Sequence, residues 1–230
     1  MAKQEVAEVN QTSNLPASIQ QEILELQKRV QAPTGSRISV MNNGKFKVPG
    51  IGEVEGPIDV IVVQFAAANY LYKGAYRKDN PQPPVCAAVG KGTNDDLIPA
   101  ENAPEIQADD CKTCPMNQFG SNGNGKACKN MKMVALLPAD AGEGNESDIM
   151  TISVSPTGIK DFDSTISKIA GMGRLPRQLV MSMYTKAAGN SDAKTVAFGD
   201  PRPLTDEQFA YVNSRLQDAE NILLAPPKFD

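Results

Sequence analysis

Three of the four cysteines fall in "CKTCPMNQFGSNGNGKACKN", Cys111 to Asn130, and Cys86 stands upstream, giving C-x24-C-x2-C-x13-C. A C-x-x-C step lets Cys111 and Cys114 reach one ion from a single tight turn, and Pro115 stiffens the exit. Cys86 and Cys128 would then fasten the two ends of the intervening loop to that knuckle. Four sulfurs in a chain with no histidine suit a closed, tetrahedral structural Zn2+ site, because a catalytic zinc keeps one position open for water. Such an ion contributes on the order of 10 kcal/mol to folding. That would order residues 90–130, which lack apolar periodicity and would otherwise form an improbably long loop. An iron–sulfur cluster also takes four cysteines, and unliganded buried thiols or a redox pair remain as further readings.

The surrounding charge suggests a ligand. Lys112, Lys126, Lys129 and Lys132 lie between Cys111 and Met133 with no acidic residue among them, in a chain of net charge -4. Part of that charge would balance a zinc tetrathiolate. A second basic segment, "YLYKGAYRK", interleaves Tyr70, Tyr72 and Tyr76 with Lys73, Arg77 and Lys78. Bases stack on aromatic faces for roughly 1–3 kcal/mol each while cations track phosphates, so this mixture suits a single-strand groove, with Phe119 as a further stacking residue. The competing reading is half-buried tyrosines at a strand end beside solvated cations. Cys86 follows the tyrosines closely and would tie them to the lysines around Cys128, and Arg174 and Arg177 could extend the same face. "GSNGNGK" lacks the phosphate-loop spacing and has no hydroxyl after its lysine.

Catalysis finds little support. Without histidine there is no Ser-His or Cys-His machinery, and the acidic groups "NDD", "ADD" and "DFD" lack the second motif of a two-metal nuclease. No enzyme is expected. The N-terminus has no apolar signal core, and no stretch approaches the roughly 18 apolar residues of a membrane span. A cytoplasmic protein is expected, with reduced thiols.

The elements that would position these residues follow from periodicity. Residues 1–16 read as a loose arm, and Ile19, Ile23, Leu26 and Val30 predict a helix over 17–35. "RISVMNNGKFKVPG" predicts a hairpin, "PIDVIVVQF" a buried strand and "PVCAAVG" a short strand carrying Cys86. "MKMVALLPAD" and "IMTISVS" predict a second hairpin, "SPTGIKDFDSTISKIAGMG" a helix, and "RQLVMSMYTKAA" and "AKTVAFGD" two more strands. Thr205 and Gln208 form a capping box at the start of a last helix within 204–230. About seven strands with flanking helices predict a mainly β, α+β chain: a closed or partly open β-barrel over 36–203 with a metal-binding insertion at 86–130, a β-sandwich being the other arrangement of the same string.

"YLYKGAYRK" followed by "CKTCPMNQFGSNGNGKACKN" within such a strand series resembles phage-encoded single-stranded-DNA-binding proteins. In these an oligonucleotide-binding (OB) barrel carries a zinc-stabilised insertion. The family's best-known member uses a histidine among its zinc ligands, so only the cysteines Cys86, Cys111, Cys114 and Cys128 could correspond. The resemblance implies an OB-like barrel, single-stranded DNA as partner in replication or recombination, possible replication-protein partners and a location in the host cytoplasm. The tip Phe229-Asp230 is only a faint counterpart of the family's acidic tail. The other functional expectation is a zinc-containing protein-interaction or regulatory module acting on host replication or transcription machinery.

Overall fold

The computed structural model describes residues 37–74, 82–144, 147–189 and 193–229. The chain divides into two compact units, Met1–Gly35 and Ser36–Asp230, and the described residues all belong to the second. The expected arm and the helix over 17–35 lie outside them.

The second unit is built on β4 (Ile58–Tyr72). Its start, "IDVIVV", is apolar without alternation, the pattern of a strand covered on both faces. Val60 and Val62 enter one buried cluster, and Ile61 and Val63 enter another. A register shift between Val62 and Gln64 follows. The strand then continues through "NYLY", beyond the expected strand "PIDVIVVQF".

Around β4 lies a six-stranded antiparallel sheet. It contains β5 (Pro84–Gly90), β6 (Lys129–Pro138), β7 (Met150–Val154), β8 (Leu179–Ala187) and β9 (Lys194–Pro203). The order is β7-β6-β4-β8-β9, and β5 also pairs with β4. β6 accompanies nearly the whole of β4, whereas the opposite edge is divided: Ile58–Ile61 pair with β8 and Ala67–Tyr72 with β5. A separate three-stranded sheet, β1 (Ser39–Val40), β2 (Phe46–Val48) and β3 (Gly52–Val54), extends the expected hairpin by one strand.

Helix α1 (Ile159–Gly171) packs Phe162 and Ile169 into the first cluster with Phe46, Val134, Ile152, Met181 and Phe198. Phe162 meets Phe65 and Phe198 edge-on, with centroids 5.2 and 5.7 Å apart. The second cluster lies on the other face of the sheet. There α2 (Asp206–Ser214) and α3 (Leu216–Leu223) supply Val212, Ala219 and Leu223 against Ile61, Ala135 and Leu137. Thr205 caps α2 by accepting from the Gln208 backbone N–H at 3.2 Å, and the helix breaks at Arg215 rather than running on.

The expected closed OB-like barrel is corrected by this topology. β7 and β9 end the strand order with no ladder between them. Just beyond the end of β7, the Ser155 hydroxyl meets the Thr195 hydroxyl of β9 at 2.8 Å. The outer edge of β7 is already used, since Arg37 bridges Thr151 and the Ile38 N–H donates to the Thr151 carbonyl at 2.8 Å. A strand edge occupied in this way cannot accept β9, so the sheet stays open and the fold is α+β.

Candidate binding face and the cysteine insertion

The second half of β4 presents different chemistry on its two faces because strand side chains alternate. Asn69 and Leu71 face one way, with Asn130 and Cys86 as their respective ladder partners. Tyr70 and Tyr72 face the other way, and Tyr70 is paired with Lys129.

On the first face a network of amides attaches the insertion to the sheet. Asn69, 1% exposed, donates to the Asn94 carbonyl at 2.7 Å. Its side-chain oxygen accepts from the amides of Asn94 and Asn130 at 2.8 and 2.7 Å. Asn130 also donates to Asn117, and Asn117 donates to the Cys111 carbonyl at 2.8 Å. Backbone bonds from Ala100 to Ala87 and from Glu105 to Val85 cover the outer edge of β5. Leu97 and Cys111 form a small apolar cluster with Ala67 and Ala88. Buried polar groups held in such a network fix a loop that has little apolar content of its own.

The four cysteines are free thiols that line a common cavity of about 10 Å³. Among the described residues, however, no group of three or more Cys, Asp or Glu side chains is arranged to hold a metal ion. The expected structural Zn2+ at Cys86, Cys111, Cys114 and Cys128 is therefore corrected, and the four-cysteine metal loop with it. The amide network and backbone bonds organise the insertion, and two of the thiols have other partners. Cys111 is hydrogen-bonded by the Asn69 side chain and Cys86 by the Gln107 backbone.

Burial pushes the Cys86 and Cys111 thiols above their ordinary range. Cys128 is pushed up to about 12 by burial first and by the neighbouring Cys111, Cys114 and Cys86 next. An acid with a raised folded pKa holds its proton more tightly when folded, so its stabilisation is complete below the unfolded value of 9.0 and is lost as pH rises towards about 12. Urea melts across pH 8–11 are expected to show stability falling above about pH 9, with a slope for this thiol approaching about 1.4 kcal/mol per pH unit. Cys128→Ala is expected to make the fall shallower, with the raised Cys86 and Cys111 thiols keeping part of it, and an equally steep profile in the variant would contradict the assignment.

On the second face, Tyr70 and Tyr72 stand with ring centroids 6.4 Å apart, and Tyr72 is 41% exposed. Lys129 lies beside Tyr70, Met131 is two residues further along β6 on the same face, and Ser153 lies across from Met133. The Arg37 guanidinium donates to the Ser153 hydroxyl at 2.8 Å. Its charge partly offsets the burial that raises both tyrosine pKa values. Tyr72, Lys73, Lys129 and Met131, with Ser121 and Asn122 of the insertion, line a cleft of about 730 Å³.

The other expected contact residues are distributed differently. Lys132 pairs with Ala67, so it faces away from the tyrosines, and it is 7% exposed. Lys73 is bound to Glu105 at 2.7 Å. Phe119 is exposed under the Lys126 ammonium, which lies 5.3 Å from its ring and 3.9 Å from Asp95. These two line a neighbouring cleft that shares only Lys129 with the tyrosine cleft. Arg177 donates to Asn213 of α2 at 3.0 Å, and Tyr76, Arg77 and Lys78 lie outside the described residues. Arg37 and Met131 were not singled out from the sequence; register alone reveals Met131, two positions from Lys129, and Arg37 joins the face through a residue distant in sequence.

The continuous row of free cations that a phosphodiester strand would follow is absent among the described residues. Comparison with family models, with curated proteins and with solved structures finds no match to this chain. With the barrel and the metal site both corrected, the resemblance to phage single-stranded-DNA-binding proteins and the zinc-module alternative are withdrawn together.

Proposed function

We propose that this protein is a non-catalytic binding module whose ligand face is the tyrosine cleft of β4 and β6. The observation that carries this reading is the clustering of Tyr70, Tyr72, Met131 and Lys129 on one sheet face, at a cleft with no acidic residue in its described lining. Aromatic and thioether side chains left accessible beside unpaired positive charge recognise ligands that are partly apolar and carry anionic groups.

The non-catalytic part rests on how the carboxylates are used. Asp59 is held below its usual range by Arg202 and Ser182, and Glu220 by Lys91. Asp96 and Asp110 accept from Thr93 and Thr113 in local turns. These contacts make the acids structural partners and leave them poorly placed as general acids or bases. Among the described residues no helix is long and apolar enough to cross a membrane.

The anionic aromatic dye 1-anilinonaphthalene-8-sulfonate tests the cleft on the native full chain. It is expected to bind with enhanced fluorescence, and Tyr72→Ala and Lys129→Ala are each expected to weaken binding several-fold. Unchanged titrations in both variants would show that the face does not take such ligands.

A further inference from the structure

We infer that the ligand of this face is an acidic protein segment, one or two carboxylates flanking an aromatic or long apolar side chain, laid along the tyrosine side of β6. This inference rests on the binding-module reading and names the partner.

The limit on the ligand comes from an account of the positive charges. Around the cleft Lys73 is neutralised by Glu105, Lys126 is shared between Asp95 and the Phe119 ring, and Lys132 is buried on the opposite face. Among the described residues Lys129 has no acidic partner, and Arg37 has a neutral hydroxyl and no carboxylate. Lys129 and Arg37 match one or two carboxylates, whereas a longer polyanion would bring a charge at every unit and need further cations than these. Met131 follows Lys129 along β6 towards Ser153, where Arg37 is held, and Tyr70 and Tyr72 flank Lys129 on β4, so the face adds apolar surface rather than further charge. A segment alternating acidic and apolar side chains is therefore complementary in both sign and order.

The backbone provides a second fit. β6 pairs with β4 along Lys129–Met131, but β7 begins its pairing only opposite Lys132. No strand lies beside the first residues of β6 on the β7 side among the described residues. The Met131 carbonyl already accepts from the Asn94 side chain at 3.2 Å, so an extended segment can approach β6 at Lys129 and Asn130, with alternate side chains directed at the tyrosine face. The outer edge of β5, by contrast, is already covered by the insertion.

Fluorescence anisotropy on the full chain tests this with three labelled probes: a ten-residue peptide alternating Asp or Glu with Phe or Leu, the same peptide with lysine in place of its acids, and oligothymidylate. The acidic peptide is expected to bind, and the lysine peptide is not. Tyr72→Ala and Lys129→Glu are each expected to weaken the acidic peptide at least tenfold with unchanged melting temperatures, while Lys126→Glu in the neighbouring cleft has little effect.

Binding of oligothymidylate but not of the acidic peptide would overturn the inference while preserving the face, provided Tyr72→Ala weakens it. Acidic-peptide binding that neither variant changes would overturn the inference and count against the face as well. Failure of all three probes overturns the inference, and the dye titration then decides separately whether the cleft is a binding face.

Discussion

Asn69→Ala is expected to destabilise the protein by about 3–5 kcal/mol and to release the insertion before the rest of the sheet. The residue is almost fully buried and makes side-chain bonds to Asn94 and Asn130. Removing it leaves the Asn94 carbonyl and one Asn130 amide proton short of a partner, while the Asn94 amide keeps the Ala68 and Met131 carbonyls. Each buried polar group left unsatisfied costs about 1–3 kcal/mol. The effect should be local as well as large, because the bonds radiate into residues 91–130. Hydrogen exchange is expected to accelerate there while α1 and the β8–β9 ladder keep their protection. A uniform loss of protection across the chain would show that the network does not specifically secure the insertion.

Phe162→Ala has the other large expected effect, and it acts globally. Phe162 lies 2% exposed in the first cluster, edge-on to both Phe65 and Phe198. Truncating a buried Phe to Ala costs about 3–5 kcal/mol through lost transfer energy and the cavity left behind. At roughly 2–4 °C per kcal/mol for a unit of this size, the melting temperature should fall by roughly 6–20 °C. Phe162→Leu keeps most of the volume and should lose much less. Similar melting temperatures for the two variants would mean that the site collapses around the smaller side chain.

Elements whose identity depends on local pattern were legible in the sequence. The continuous apolar run of β4, the i, i+4 and i+7 spacing of Phe162, Ile166 and Ile169, and the Thr205–Gln208 box each define an element without distant partners. Sheet closure was not legible, because it depends on what occupies the outer edge of β7, and that is Arg37 and Ile38, distant in sequence. The cysteine spacing was legible as a pattern but misleading as a site. It suggested an ion to organise the insertion, whereas asparagines scattered from Asn69 to Asn130 perform that task. Side-chain amides have no characteristic spacing, so nothing in the string marks them as partners. The tyrosine face was partly legible: Tyr70, Tyr72 and Lys129 share it, and Lys132 falls on the other side because it stands an odd number of residues from Lys129 on an alternating strand.

The divided edge of β4 also bears on how the chain reaches this structure. Its pairing with β8 joins segments separated by most of the domain, so that ladder cannot form until residues near both ends of the unit have been synthesised and brought together. Loop closure over such a separation is slow, and folding dominated by non-local pairing falls in the millisecond-to-second range. During that interval the run Val60–Val63, later covered on both faces, has no partner on the β8 side. Asp59, just before the run, places a negative charge beside the exposed segment and discourages association between chains until Arg202 of β9 arrives to pair with it.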